Sequence, residues 1–232
     1  MASALLPYPL TGLDALSGSV EGILNRQPGV RPGVCIDSDV SWVTEESAHV
    51  HHGKVLSFPK KMREIAWGRK VSPEFKRKLL DICDRLGVEP NYLMAAMAFE
   101  SAGTFSSAVK NKHSGATGLI QFMPSTAKEL KTTTNALANL SAVDQLEYVE
   151  KYFRRFAHRL HTLEDVYMAI LYPVAVGKPN SFVLFERGTI AYKQNAPLDT
   201  PEGAKGVDGK ITKAEAAAKV RKKLEEGLLQ KG

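Results

Sequence analysis

The chain has 232 residues, 44% of them hydrophobic, with a formal net charge of +6 at neutral pH. That length and apolar content exclude wholesale disorder and provide for one principal core with something left over. No apolar run approaches the roughly 18–20 residues that cross a bilayer, and the basic balance favours polyanionic partners (cell wall, nucleic acid or membrane surface) without choosing among them.

Residues 1 to about 65 combine Pro7, Pro9, Pro28 and Pro32 with many glycines and show no sustained helical period. Short strands are expected at Val40–Val43 and Lys54–Phe58, in a segment read either as a docking arm or small subdomain or as a flexible leader. Met1–Leu24 has no basic start and no clear apolar stretch, so no signal peptide is read there. Cys35 and Cys83 are too few for a disulfide framework and too far apart for a metal motif. His49 and His51 could share a strand face with His52 nearby, but no cysteine or carboxylate has matching ligand spacing, and the cluster reads as solvated.

From Ser72 the punctuation becomes helical. Ser72 is an N-cap with Pro73 at the first helical position, Phe75, Leu79, Ile82 and Leu86 mark an apolar face, and Gly87 supplies the stop. Pro90 opens a second helix through Glu100, closed by Gly103, and Pro124 starts a third after a glycine-rich loop. Ser141 and Asp144 frame a fourth, with Val143, Leu146, Val149, Phe153, Phe156 and Leu160 on one side. Thr162 and Asp165 frame a helix ending near Leu171. The chain loosens after Gln194, and Thr212 with Glu215 forms a capping box for a last basic helix bearing Lys219, Arg221, Lys222 and Lys223. The fold class expected is mainly α.

In the second helix, Leu93, Ala96, Met97 and Glu100 lie at helical spacing, which puts Glu100 on the apolar face. It also falls in the last turn, where the helix dipole disfavours negative charge. Desolvation and dipole both push its pKa upward, and a carboxyl kept protonated near neutrality is what a glycosidase general acid requires. The alternative is a helix-terminal glutamate reaching solvent. The loop that follows, SGATGLIQFMPSTA over residues 114–127, has Gly115 and Gly118 for tight turns and close backbone approach. Gln121 offers a donor and an acceptor, suited to the hydroxyls and N-acetyl groups of a sugar.

The run Phe99-Glu100-Ser101 followed by GATGLIQFMP over residues 115–124 closely resembles the soluble lytic transglycosylase domain and its goose-type lysozyme relatives, over roughly residues 70–190. The resemblance implies a lysozyme-like catalytic domain with Glu100 as acid/base, Ser101 beside it in the cleft, and Gln121 and Met123 lining sugar subsites. Where the family has Ala-Tyr-Asn-Ala-Gly, this chain has Ala169, Ile170, Leu171, Tyr172 and Pro173. Tyr172 matches the cleft tyrosine, with an ordinary core tyrosine as the alternative, and Pro173 replaces the asparagine. The rebuilt loop after it is similar to transglycosylase domains of bacteriophage particles.

What this implies is cleavage of the MurNAc–GlcNAc bond in the glycan strand of bacterial peptidoglycan, with a 1,6-anhydro product and no cofactor. A hydrolase of the endolysin type would need a second carboxylate, for which Asp144, Glu147, Glu164 and Asp165 are available. A structural particle protein with an inactive glycan-binding cleft is the rival from another class. Specific nucleic-acid binding is not expected, because lysines and arginines are spread without interleaved aromatics. Three segments follow: an arm or docking subdomain over 1–65, the catalytic domain over 66–194, and a C-terminal stretch over 195–232. The last holds Asp208, Gly209 and Glu215 in a degenerate, metal-free EF-hand-like loop, then the basic helix. Tail or baseplate proteins are the partners expected for the arm. The expected setting is a phage virion, made in the host cytoplasm and acting on the wall in the periplasm.

Overall fold

A computed structural model of the chain describes residues 63–199 and 207–232. The strands expected at Val40–Val43 and Lys54–Phe58, the histidines His49, His51 and His52, and Cys35 lie outside the described residues.

Helices dominate: α1 (Pro73–Leu86), α2 (Pro90–Glu100), α3 (Pro124–Glu129), α4 (Thr134–Ala138), α5 (Ala142–Phe153), α6 (Leu163–Leu171), α7 (Ile190–Asn195) and α8 (Lys213–Leu228). Two short strands, β1 (Val183–Glu186) and β2 (Lys210–Thr212), pair antiparallel with Phe185 opposite Ile211. The capping chemistry explains most boundaries. Ser72 Oγ accepts from the Phe75 amide at 3.1 Å, Ser141 Oγ from Asp144 at 3.0 Å and Thr162 Oγ1 from Asp165 at 3.1 Å. Gly87 ends α1 with φ 65°, a conformation that favours glycine. Helix α5 stops at Phe153, earlier than the apolar pattern suggests. Phe156 sits in a 3₁₀ turn and Leu160 in the connection, and both are still buried.

At the centre is α2. Leu93, Met94, Ala95, Ala96, Met97 and Ala98 are all buried, because α1, α6 and α8 pack around it. A helix apolar all round is one enclosed on every side, so the single apolar face expected from its spacing is wider than predicted. The C-terminal helix is part of this core. Ala216, Ala217 and Val220 of α8 are buried, and α8 packs on both α2 and α6. Its far end receives Trp67, whose amide donates to Gly227 O at 3.0 Å and whose Nε1 donates to Lys223 O at 2.8 Å. A Cβ at Gly227 would lie 2.4 Å from the indole, so only glycine fits that crossing.

The EF-hand-like stretch serves turn and cap. Asp208 Oδ1 accepts from the Lys210 amide at 2.8 Å, and Glu215 Oε2 accepts from the Thr212 amide at 2.7 Å within a complete capping box. No helix among the described residues is long and apolar enough to cross a membrane.

Candidate active site

Glu100 is the last residue of α2 and is only partly exposed. Burial raises its pKa from 4.5 to about 8, which keeps it protonated at neutral pH. Among the described residues it makes no hydrogen bond and no ion pair, so nothing opposes that desolvation.

The turn beyond Glu100 is held from inside. Ser101, expected beside the substrate, is fully buried: its hydroxyl donates to Met97 O at 2.7 Å and accepts from the Phe105 amide at 3.0 Å. The hydroxyl's one proton and one of its lone pairs are used within the protein, which fixes the turn after Glu100. Ala102, Gly103 and Phe105 all take positive φ, which turns the chain sharply away from the helix.

The loop before α3 folds as a tight hairpin in which Thr117 and Phe122 exchange backbone hydrogen bonds at 3.0 and 2.8 Å. Gln121 sits at its tip with φ 51° and is nearly buried. Its Nε2 donates to Val109 O at 3.2 Å and Gly118 O at 3.1 Å, which leaves Oε1 without a protein partner among the described residues. Gln121 therefore braces the loop with its nitrogen and keeps one acceptor for a ligand. Met123, half-buried, is the N-cap of α3 directly after the hairpin.

Sequence reasoning missed Gln145. This fully buried residue of α5 accepts from the Leu119 amide at 2.7 Å and donates to Leu137 O at 2.8 Å and Ser107 O at 3.2 Å. It joins the hairpin to the α4 end and to the segment before the loop. It also explains Gly118, where a Cβ would lie 2.3 Å from Gln145 Oε1 and φ is 86°. Gln145→Ala removes three hydrogen bonds and leaves the Leu119 amide and Ser107 O unpaired, Leu137 O still accepting from Leu140 N, and a loss of about 2–4 kcal/mol of stability is expected in chemical denaturation.

Tyr172 caps the C-terminal end of α6, where Pro173 begins a 3₁₀ turn. Its ring meets Phe185 at 5.5 Å, and together with Leu184, Glu186, Thr189 and Ala191 the two line an open cleft of about 240 Å³. No hydrogen bond joins Tyr172 to Glu100. Two other tyrosines do share surroundings with Glu100: Tyr152 of α5 and Tyr167 of α6, whose phenols both feel the Glu100 charge.

The carboxylates that a hydrolase could have used are committed elsewhere. Asp144 accepts from Ser141 Oγ at 2.7 Å, Glu147 pairs with Lys78 at 2.9 Å, Glu164 pairs with Arg221, and Asp165 pairs with Lys213 at 2.5 Å. None of them contributes to the raised Glu100 pKa, which has burial as its cause. The arrangement is one desolvated carboxyl at a helix end and a loop braced by the Gln121 side-chain nitrogen.

Residues 81–169 match the family model described as the transglycosylase SLT domain. The matched span begins inside α1, contains Glu100, Ser101, Gln121 and Met123, and ends at Ala169, short of Tyr172. No curated protein and no solved structure matches the chain. The match and the helical architecture together give a mainly helical, lysozyme-like fold.

Proposed function

We propose that this chain, with a transglycosylase SLT match across its central helices, is a peptidoglycan lytic transglycosylase with Glu100 as its acid and base. The observation that carries the reading is a carboxyl titrating at about 8 through burial, with no second carboxylate acting on it. In the reaction, protonated Glu100 donates to the oxygen linking MurNAc to GlcNAc as the bond to C1 breaks. The N-acetyl oxygen of the same MurNAc steadies the oxocarbenium-like carbon. Glu100, now a carboxylate, takes the proton from the C6 hydroxyl as O6 bonds to C1. A 1,6-anhydro end results, the carboxyl is reprotonated, and no water is consumed.

Digestion of purified peptidoglycan followed by mass spectrometry of the muropeptides tests this directly. Anhydro ends are expected throughout, and reducing ends would instead identify a hydrolase. In the glycan complex, Gln121 Oε1 is proposed to accept from a sugar, with Met123 and Tyr172 as walls of the subsites.

The proposed setting is a bacteriophage particle that opens the wall locally at infection, with residues 1–65 as the segment that binds tail or baseplate protein. Its support is compositional: the arm is rich in proline and glycine and contains none of the catalytic motifs. A truncated protein lacking the arm is expected to cleave purified wall yet be missing from particles on immunoblot. Packaging of the truncated protein at normal levels would refute the docking role.

A further inference from the structure

A buried polar group without a partner is costly, about 1–3 kcal/mol, and calls for a reason. Among the described residues three such atoms occur: Tyr167 Oη, Asn195 Oδ1 and Asp199 Oδ1. Of these only the Tyr167 hydroxyl is a donor, and only it lies on an element packed against the catalytic helix. Tyr167 is fully buried, and its ring meets Phe99, the neighbour of Glu100, edge-on at 5.6 Å and 85°.

The proposed reaction passes through an ionised Glu100, in surroundings that disfavour its charge. A carboxylate formed there needs a donor close by. Tyr152 is the other phenol that feels the Glu100 charge, but its hydroxyl already donates to Ala169 O at 2.5 Å. Its single proton is spent. Ser101 donates to Met97 O and is equally spent. Of these three hydroxyls, that of Tyr167 has its proton unspent.

We propose that Tyr167 is a positioning residue whose hydroxyl donates to the Glu100 carboxylate once the acid has released its proton, and so holds it for the return step. This rests on Glu100 being the acid, and it adds a residue that neither the matching motifs nor the tyrosine at the end of α6 supplies. The hydroxyl is buried without a partner, its ring is held against Phe99, the residue before Glu100, and its phenol feels the Glu100 charge.

The test compares the full chain with Tyr167→Phe, using ¹³C-labelled glutamate to follow the Glu100 carboxyl by NMR through a pH titration, and kinetics on purified peptidoglycan. Since the hydroxyl has no protein partner, its removal breaks no internal hydrogen bond, and an unchanged or higher Tm is expected. The Glu100 pKa is expected to rise by about one pH unit or more in Tyr167→Phe, as loss of a donor to a charged group requires. kcat is expected to fall about tenfold with KM unchanged, less than the ~10²-fold or more lost with a general acid itself, because Tyr167 only positions it. If Glu100 titrates near 8 in both proteins, the Tyr167 role is refuted while the acid assignment stands. If Glu100 titrates near 4.5 in the wild-type protein, the acid assignment fails and the Tyr167 role with it.

Discussion

Glu100→Gln is expected to give a folded protein whose wall-degrading activity is reduced by more than ~10²-fold, the loss that follows removal of a general acid. An amide fills the same space but neither donates nor recovers a proton. The same substitution carries a stability signature that an exposed helix-terminal glutamate would lack. Burial raises the carboxyl from 4.5 to about 8 in the folded chain, so between those values the native state holds a proton that the unfolded state has released. Stability therefore falls as pH rises through that window and levels off above about 8. At ~1.4 kcal/mol per pH unit the full effect is at most roughly 5 kcal/mol, and less because Glu100 keeps some solvent access. Glu100→Gln, which does not titrate, is expected to lose less stability between pH 5 and pH 9, with its advantage over the wild type largest on the alkaline side. Denaturant titrations at the two pH values check it, and parallel curves for the two proteins would return Glu100 to the solvent-exposed reading. The activity of the wild type should decline as pH passes about 8, where the acid loses its proton.

The parts of the fold legible in the sequence are those written in local chemistry. Ser72, Ser141, Thr162 and Thr212 cap their helices through contacts three residues away, and each is visible as a short pattern. Glu100 was legible for the same reason, since helical spacing alone aligns it with Leu93 and Met97. What escaped depends on partners far along the chain. The helices α4 and α7 are only 5 and 6 residues long, too short to show a period. Strand β1 is held by β2, which follows it by more than twenty residues, a pairing with no tight-turn signal between the two segments. Gln145 left a trace, because it shares a helix face with Val149 and Tyr152, and a glutamine on an apolar face asks where its amide goes. At Ser101 the sequence shows only its place beside Glu100, whereas its burial and its hydrogen bonds to Met97 O and the Phe105 amide depend on how the turn closes.

Lys213 gave no local warning at all, and its replacement by methionine is expected to be among the most destabilising single changes in the chain. At the start of a basic helix it reads as a surface lysine, yet it is 1% exposed. Its ammonium donates to Asp165 Oδ1 at 2.5 Å and to Lys178 O at 2.8 Å, which ties α8 to the start of α6 and to the loop after it. Asp165 also accepts from the Gly177 amide at 2.7 Å and from Thr162 Oγ1 at 3.0 Å. Burial alone would raise the Asp165 pKa, but the Lys213 ammonium, the Gly177 amide and the Thr162 hydroxyl together hold it below the usual value. Removing one partner from such a pair strands the other charge, at about 3–5 kcal/mol. The pH dependence separates this from a simple packing loss. In the wild type the lowered pKa contributes stability above about pH 4, the ordinary carboxylate value, and that contribution is lost as pH falls through the folded value. In Lys213→Met, Asp165 keeps the Gly177 and Thr162 donors but loses the ammonium, so its pKa rises from the wild-type value and acidification through it relieves part of the strain. The gap between variant and wild type is thus expected to narrow from pH 7 towards pH 4, measured as the difference in unfolding free energy. A gap that stays constant across that range would mean the ammonium contributes packing alone. Because α6 bears Tyr167 and is capped by Tyr172, folded Lys213→Met should also show reduced glycan cleavage, with the pair acting through the placement of that helix.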